Sequence, residues 1–179
     1  SRRIAVTTDL IAGFPGEEDD DFDQTLDLMT SVEFDHIFAF IYSDRPGTPA
    51  SRFPGKVPEP LKRQRLIRAL ELQSEITRET YGRLIGRIFP VMVEGYSKKQ
   101  LKPDQTGRPF DIELSGRTPE NRIVNFSMRH FDPAANPDFS QCIVQHVRIE
   151  RACENSLVGT PVDEDGRKVA PKGGRFYAA

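Results

Sequence analysis

The chain has 179 residues, of which 37% are hydrophobic and 29% charged, and its formal net charge is −2. This composition predicts a soluble globular protein of one domain or two small ones, and no run approaches the roughly 18 apolar residues of a membrane span. Two cysteines, Cys142 and Cys153, give neither a disulfide framework nor the spacing of a metal site. Since no signal-peptide pattern opens the chain, we expect a reducing, cytoplasmic compartment.

Charge is unevenly distributed along the chain. Residues 1–59 carry 5 Lys and Arg against 12 Asp and Glu, whereas residues 87–162 carry 10 against 9. Because nucleic-acid binding depends on basic side chains, an RNA partner is expected to meet the later part of the chain.

The first predicted element is a strand that ends in a Gly-Pro turn. Residues 7–17 read TTDLIAGFPGE, and the apolar run is typical of a parallel strand that is covered on both faces. Ligands of parallel α/β sheets lie beyond the carboxyl ends of the strands, and glycine lets the backbone approach them closely. On spacing alone, a plain strand–helix connection without a ligand is the commoner case.

An acidic helix and a second strand follow. The carboxylates of residues 17–23 are interpreted as helix capping rather than as a metal site, and residues 37–42 form an apolar strand. Strand, helix and strand in this order make a right-handed βαβ unit. Because two strands do not make a stable sheet alone, partner strands are expected upstream, and we expect the chain to be a C-terminal fragment of a longer protein.

A loop and a long helix come next. Arg45, in the loop, could contact a phosphate or carboxylate, or could form a salt bridge to the acidic helix. The helix is predicted to extend to about Leu84 and to turn Leu66, Ile67, Leu70 and Ile76 inward. Its basic first turns, at residues 62–68, fit an RNA face or, more commonly, a solvated helix face.

From residue 88 the pattern changes to short β-strands. The strand candidates are residues 89–93, 123–126, 143–149 and 157–158. Short strands so closely spaced predict a small closed barrel of the oligonucleotide-binding kind. Residues 127–141 are predicted to form a long loop, and the residues after 162 a disordered tail.

Two stretches of this barrel combine basic, amide and aromatic side chains. They read VEGYSKK at residues 93–99 and LSGRTPENRIVNF at residues 114–126. Basic side chains bind phosphates, Asn reads base edges, and aromatic rings stack on unpaired bases. The alternative is a polar barrel face with Phe126 in the core, and spacing does not separate the two.

These motifs resemble those of the radical S-adenosylmethionine methylthiotransferases. Residues 9–17 are similar to the family's D-hydrophobic-I-x-G-F-P-G-E signature, whose turn lies near the adenine of the cofactor, and residues 42–50 are similar to its Y-S-x-R-P-G-T-x-A loop. The barrel motifs resemble the TRAM domain of the branch that acts on tRNA, whereas the branch that acts on a ribosomal protein lacks the S-G-R-T run. The long stretches 100–112 and 127–141 depart from the family pattern.

The resemblance implies an α/β part followed by an all-β part. Residues 1–86 would be the C-terminal part of a radical S-adenosylmethionine partial (β/α) barrel with a linking helix. Residues 87–162 would be a small OB-like TRAM β-barrel that binds RNA, and residues 163–179 a disordered tail.

The resemblance also implies the activity of the full-length protein. It would be a transferase that adds a methylthio group to isopentenyl-adenosine next to the tRNA anticodon, with S-adenosylmethionine and two 4Fe-4S clusters as cofactors. This sequence lacks the family's Cys-x-x-x-Cys-x-x-Cys run, so we expect the chain alone to contain no catalytic or metal-ligating residue and to be inactive.

The expected partner is the tRNA anticodon stem-loop, and no membrane partner is expected. The full-length protein is expected to be a monomer. The alternatives are a stand-alone RNA-binding or adaptor module and a methylthiotransferase that acts on a ribosomal protein.

Two sets of site residues follow from the resemblance. The residues implied to bind the cofactor are Ile11, Gly13, Phe14, Pro15, Gly16 and Arg45. The residues implied to bind RNA are Lys98, Lys99, Arg117, Asn121, Arg122, Asn125 and Phe126. The basic members would contact the RNA backbone, and the Asn and Phe members would lie closer to the bases.

Overall fold

A computed structural model describes residues 4–98, 112–128, 143–163 and 165–168. Lys99, Cys142 and most of the predicted insertion, loop and tail lie outside the described residues. The chain divides into an α/β unit, Arg2–Thr80, and a barrel unit, Tyr81–Ala179. No helix among the described residues is both long enough and apolar enough to cross a membrane.

The α/β unit contains the predicted βαβ arrangement. Strand β1 spans Thr7–Ala12, helix α1 Asp19–Val32 and strand β2 His36–Ile41. The two strands are parallel and in register from Thr7 opposite His36 to Ala12 opposite Ile41. A short 3-10 helix, Pro49–Arg52, precedes the long helix α2, Glu59–Gly82.

One face of this two-stranded sheet is buried and the other is exposed. Leu10, Ala12 and Ile37 belong to a buried cluster with residues of both helices. On the opposite face, Ile11 is 55% exposed and Phe40, its partner across the strands, is 56% exposed. The prediction that the first strand is covered on both faces is therefore wrong for the described residues.

Helix α2 packs on the sheet through apolar, small and polar residues. Ala69 and Ile76 are buried, and the Gln73 side chain donates a hydrogen bond to the Phe34 carbonyl oxygen at 2.8 Å. Of the four residues predicted to turn inward, Ile76 is buried and Leu66 half-buried. Ile67 and Leu70 are 55% and 46% exposed. The structure rotates the predicted helix face, because charged side chains take some of the inward positions.

The barrel unit is a closed barrel, as predicted, but it has five strands, and the strand at residues 112–117 was not among the four strand candidates. Its strands are β3 (Ile88–Tyr96), β4 (Ile112–Arg117), β5 (Ile123–Met128), β6 (Ile143–Ala152) and β7 (Leu157–Pro161). They follow the order β3-β4-β5-β7-β6, with β6 closing on β3. All pairs are antiparallel except β5 with β7.

Alternating residues fill the barrel, and two glycines allow its strands to approach closely. Buried positions alternate with partly exposed ones along β4 and β7. A Cβ added at Gly116 would overlap the Met92 carbonyl oxygen, and one at Gly159 would overlap that of Arg148. These glycines therefore serve barrel closure.

After β7 the chain forms a short ordered turn. Val162 pairs with Lys168 in an isolated bridge, and the Asp163 amide donates to the Arg167 carbonyl oxygen at 2.8 Å. The prediction of a disordered tail from residue 163 is therefore wrong for its first, described residues.

Candidate cofactor turn and candidate RNA face

The candidate cofactor turn, residues 13–17, follows β1 directly. Gly13 has a φ of 76°, which side chains rarely adopt. A Cβ added there would overlap Cγ of Lys62 and lie 3.1 Å from its Cβ and Cδ. The turn therefore needs glycine at this position for its backbone conformation and for packing.

The Glu17 carboxylate closes the turn from inside. It accepts hydrogen bonds from the Gly13 amide and, at 3.0 Å, from the Phe14 amide. These two amides would otherwise be the natural donors for an anionic ligand at a strand end. Because Glu17 accepts from both amides, they are not free donors at this strand end.

Two cations of α2 lie buried against the turn and α1. The Arg65 guanidinium donates to the Glu17 carbonyl oxygen at 3.1 Å and to the Asp19 carboxylate at 2.7 Å. The Lys62 ammonium donates to the Tyr42 carbonyl oxygen at 3.1 Å. An RNA face or a solvated face is therefore the wrong interpretation of these two residues, since their side chains are 4% and 9% exposed.

Tyr42 anchors the loop that follows β2. Its ring lies edge-on to Phe14 at 5.2 Å, and its hydroxyl donates to Asp44 at 3.0 Å. Lys56 forms an ion pair with the same carboxylate. Hydrogen bonds from Lys56 and then from Tyr42 lower the pKa of Asp44, while the bond to Asp44 raises the pKa of Lys56.

The loop after β2 is also joined to the turn through backbone. The Gly16 amide donates to the Gly55 carbonyl oxygen at 2.8 Å, and the ring centroids of Phe53 and Phe14 lie 6.2 Å apart. The loop and the turn therefore form one packed surface at the carboxyl ends of both strands.

Arg45 projects from this surface. It is exposed, and the described residues provide no ion pair or hydrogen bond to its guanidinium. The acidic helix is paired instead by Arg65 and by Arg68, whose Nη1 lies 3.2 Å from Asp23. Of the two alternatives for Arg45, the salt bridge to the acidic helix is absent.

The predicted turn residues have different exposures. Ile11 and Phe14 are 55% and 41% exposed, Gly16 is exposed, and Gly13 and Pro15 are buried. An apolar side chain on each side of a fixed turn can hold a planar ring by packing. Among the described residues, no group of three His, Cys, Asp or Glu side chains could hold a metal ion.

The candidate RNA face is the outer surface of β4 and β5 with the end of β3. Ser115 pairs with Asn125, and Arg117 with Ile123, across the two strands. Lys98 is exposed just beyond β3, and Asn125 is half-buried. The structure therefore places Arg117 and Asn125 on one face of the barrel.

Arg117 is held by two partners. Its Nε donates to the two Glu94 carboxylate oxygens at 3.0 and 3.3 Å, and its Nη1 to the backbone and side-chain oxygens of Asn121 at 3.2 and 3.1 Å. Neither Glu94 nor this role of Asn121 was predicted from the sequence. Basic side chains were the signal of RNA binding in the sequence, and an acidic residue that pairs with one of them, such as Glu94, gives no such signal.

The β4–β5 turn explains most of the S-G-R-T-x-x-N-R run. The Asn121 amide donates to the Thr118 carbonyl oxygen at 2.8 Å, and the Thr118 amide to the Arg122 carbonyl oxygen at 3.0 Å. Asn121 has a φ of 64°, a conformation that Asn tolerates better than most residues. Thr118 and Asn121 therefore shape this hairpin.

Two predicted RNA-binding residues face the interior. Phe126 is 1% exposed and belongs to the barrel core, so no base can stack on its ring in this fold, and that assignment is corrected. Arg122 is 6% exposed, with Nη1 3.8 Å from a Glu120 carboxylate oxygen. We therefore interpret Arg122 as a structural residue, because it alternates with Val124 and Phe126 on the side of the chain that faces the barrel interior.

Three known enzymes that are similar to this chain carry the same name. tRNA-2-methylthio-N(6)-dimethylallyladenosine synthase of Desulfosudis oleivorans is 43% identical over 98% of the chain and 36% of its own length. The enzymes of the same name from Syntrophotalea carbinolica and Cellvibrio japonicus are 42% and 40% identical over 89% and 90% of the chain. No family model matches the chain.

The chain spans about a third of the length of these relatives: 36%, 32% and 33%. The similarity extends over both units, from the strand-end turn to the barrel. By sequence, this chain belongs to the family of the tRNA-2-methylthio-N(6)-dimethylallyladenosine synthases.

Proposed function

We propose that this chain is the C-terminal part of a tRNA methylthiotransferase, which adds a methylthio group to isopentenyl-adenosine next to the anticodon by radical S-adenosylmethionine chemistry. The observation that carries the proposal is the 43% identity over 98% of the chain to a relative named for that modification. The strand-end turn and the barrel are consistent with it, since each offers a surface for one of the two substrates.

In this proposal the α/β unit supplies part of the S-adenosylmethionine pocket. Ile11 and Phe14 pack against the adenine ring, and the buried Gly13 and Pro15 fix the path of the turn. Arg45, exposed and without a partner among the described residues, lies where a carboxylate could meet it. When bound, the cofactor supplies the radical chemistry, and these residues bind and orient it.

The two 4Fe-4S clusters of the proposed enzyme are not assigned to residues of this chain. Cys153 is a half-exposed free thiol, and one thiolate cannot provide the ligand set of such a cluster. The cluster ligands are therefore proposed to lie elsewhere in the full-length protein, for which we propose a cytoplasmic monomer.

The barrel unit is proposed to bind the anticodon stem-loop. Arg117 and Lys98 contact phosphates, and Asn125 and Asn121 lie close to bases. Lys99 keeps its predicted phosphate contact but lies outside the described residues. Arg122 and Phe126 act through the fold of the barrel, because both are buried.

The proposal is tested in a bacterial strain that makes isopentenyl-adenosine but cannot methylthiolate it. The full-length gene is introduced, and the tRNA nucleosides are analysed by mass spectrometry. We expect the 2-methylthio nucleoside to appear. Unmodified tRNA together with a methylthiolated ribosomal protein would instead support the protein-modifying alternative, and no modification of either would favour an RNA-binding or adaptor module.

A further inference from the structure

We propose that Glu94 lowers the affinity of the barrel for RNA by competing with RNA phosphates for Arg117. The inference rests on the proposed RNA-binding function and adds to it an acidic residue that opposes binding. The carboxylate of Glu94 lies against Nε of Arg117 at 3.0 Å, on the face where a phosphate would bind.

A β-bulge places Glu94 at this position. Val93 pairs with Gly116 and Gly95 with Ser115, so Glu94 is the extra residue on β3 and has no cross-strand partner on β4. Bulges re-aim side chains, and here the carboxylate reaches the side chain of Arg117, which pairs with Met92 earlier on the strand.

The ion pair leaves the guanidinium accessible. The side chains of Arg117 and Glu94 are 36% and 44% exposed, and Nη2 of Arg117 has no partner among the described residues. A phosphate can therefore bind through Nη2 beside Glu94, or can replace Glu94 at Nε. In both cases the negative charge of Glu94 opposes the phosphate.

The competition is modest because an exposed ion pair is weak. A phosphate of any RNA that contacts Arg117 must either displace Glu94 from Nε or bind beside its negative charge. Asn121 holds Nη1 at 3.1 Å, so the guanidinium stays in position while its anionic partner changes. Glu94 thereby weakens the binding of any RNA that places a phosphate at Arg117.

The test replaces Glu94 by Gln, which removes the charge and retains an oxygen that can accept from Nε. A matched control is Glu154→Gln, which removes one charge from an exposed position in the turn between β6 and β7. Affinities of this chain for an anticodon stem-loop and for an unstructured oligouridylate are measured at low salt. We expect Glu94→Gln to tighten stem-loop binding about two- to fivefold, oligouridylate binding by no more than this, and Glu154→Gln to change both less.

The same substitution in an Arg117→Ala background completes the cycle. There the effect of Glu94→Gln should fall to that of Glu154→Gln, because the competed group is gone. Equal effects of the two Gln variants in the wild-type background, or weaker binding by Glu94→Gln, would overturn the inference. If the wild-type chain binds neither RNA, the failure lies in the proposed RNA-binding function itself. Melting curves of all variants confirm that the barrel is folded.

Discussion

Replacing Gly13 with Ala tests whether the strand-end turn depends on its packing against Lys62. Two costs add: the φ of 76° disfavours a side chain by about 1–2 kcal/mol, and the new Cβ must displace a buried Lys62 stem, which costs about 1–3 kcal/mol more. We expect a total loss of about 2–5 kcal/mol. Native-state hydrogen exchange at the Tyr42 amide, which donates to the Ala12 carbonyl oxygen at 2.8 Å, measures it.

Gly47→Ala separates the two costs. Gly47 has a φ of 86°, and a Cβ added there meets nothing within 4 Å, so only the backbone cost of about 1–2 kcal/mol remains. For each variant, the opening free energy is measured by hydrogen exchange at an amide next to the substituted turn. In a Lys62→Ala background the Gly13→Ala cost should fall most of the way to this value, because Cγ and Cδ are absent and only the Cβ of residue 62 remains, at 3.1 Å. If the two glycine variants differ by less than about 0.5 kcal/mol, the packing argument is refuted.

Two further predictions concern the same unit. Glu17→Ala leaves the Gly13 and Phe14 amides without their acceptor and should lower the opening free energy at Tyr42 by about 2–3 kcal/mol. Glu17→Gln keeps an acceptor oxygen and should cost less. Equal losses in the two variants would contradict this role of Glu17. The pKa of Asp44 is lowered in the folded protein, so its bond with Lys56 stabilises the loop above a pH of about 4 and is lost as the pH falls through the folded pKa. The protection of the amides of residues 43–58, taken relative to the intrinsic exchange rate at each pH, should fall there in the wild-type chain but not in Asp44→Asn.

The elements could be predicted from the sequence because their periodicities are strong. Strand, helix and strand follow one another in the first unit as expected, and the period-2 runs after residue 88 form the predicted closed barrel. Periodicity does not reveal what covers a strand, however. The apolar run of β1 predicted burial on both faces, yet Ile11 and Phe40 are more than half exposed.

The functional residues were harder to predict, because the sequence does not reveal whether a charged side chain faces solvent or is buried against a partner. Lys62 and Arg65 were read as a basic helix surface, but they are buried because Tyr42 and the acidic start of α1 offer them oxygen atoms. Parity along β5 could have placed Phe126 and Arg122 inside, since both share the phase of the buried Val124. The bulge that brings Glu94 to Arg117 depends on three-dimensional strand pairing.

The central claim is that RNA binds the barrel face around Arg117, and the salt dependence of anticodon stem-loop binding tests it most directly. The chain and its Arg117→Ala variant are titrated with the stem-loop at several salt concentrations. Loss of one phosphate contact should weaken binding and reduce the slope of log affinity against log salt by about one unit. A folded Arg117→Ala barrel with wild-type affinity and slope would contradict the claim and would place the RNA surface elsewhere on the molecule.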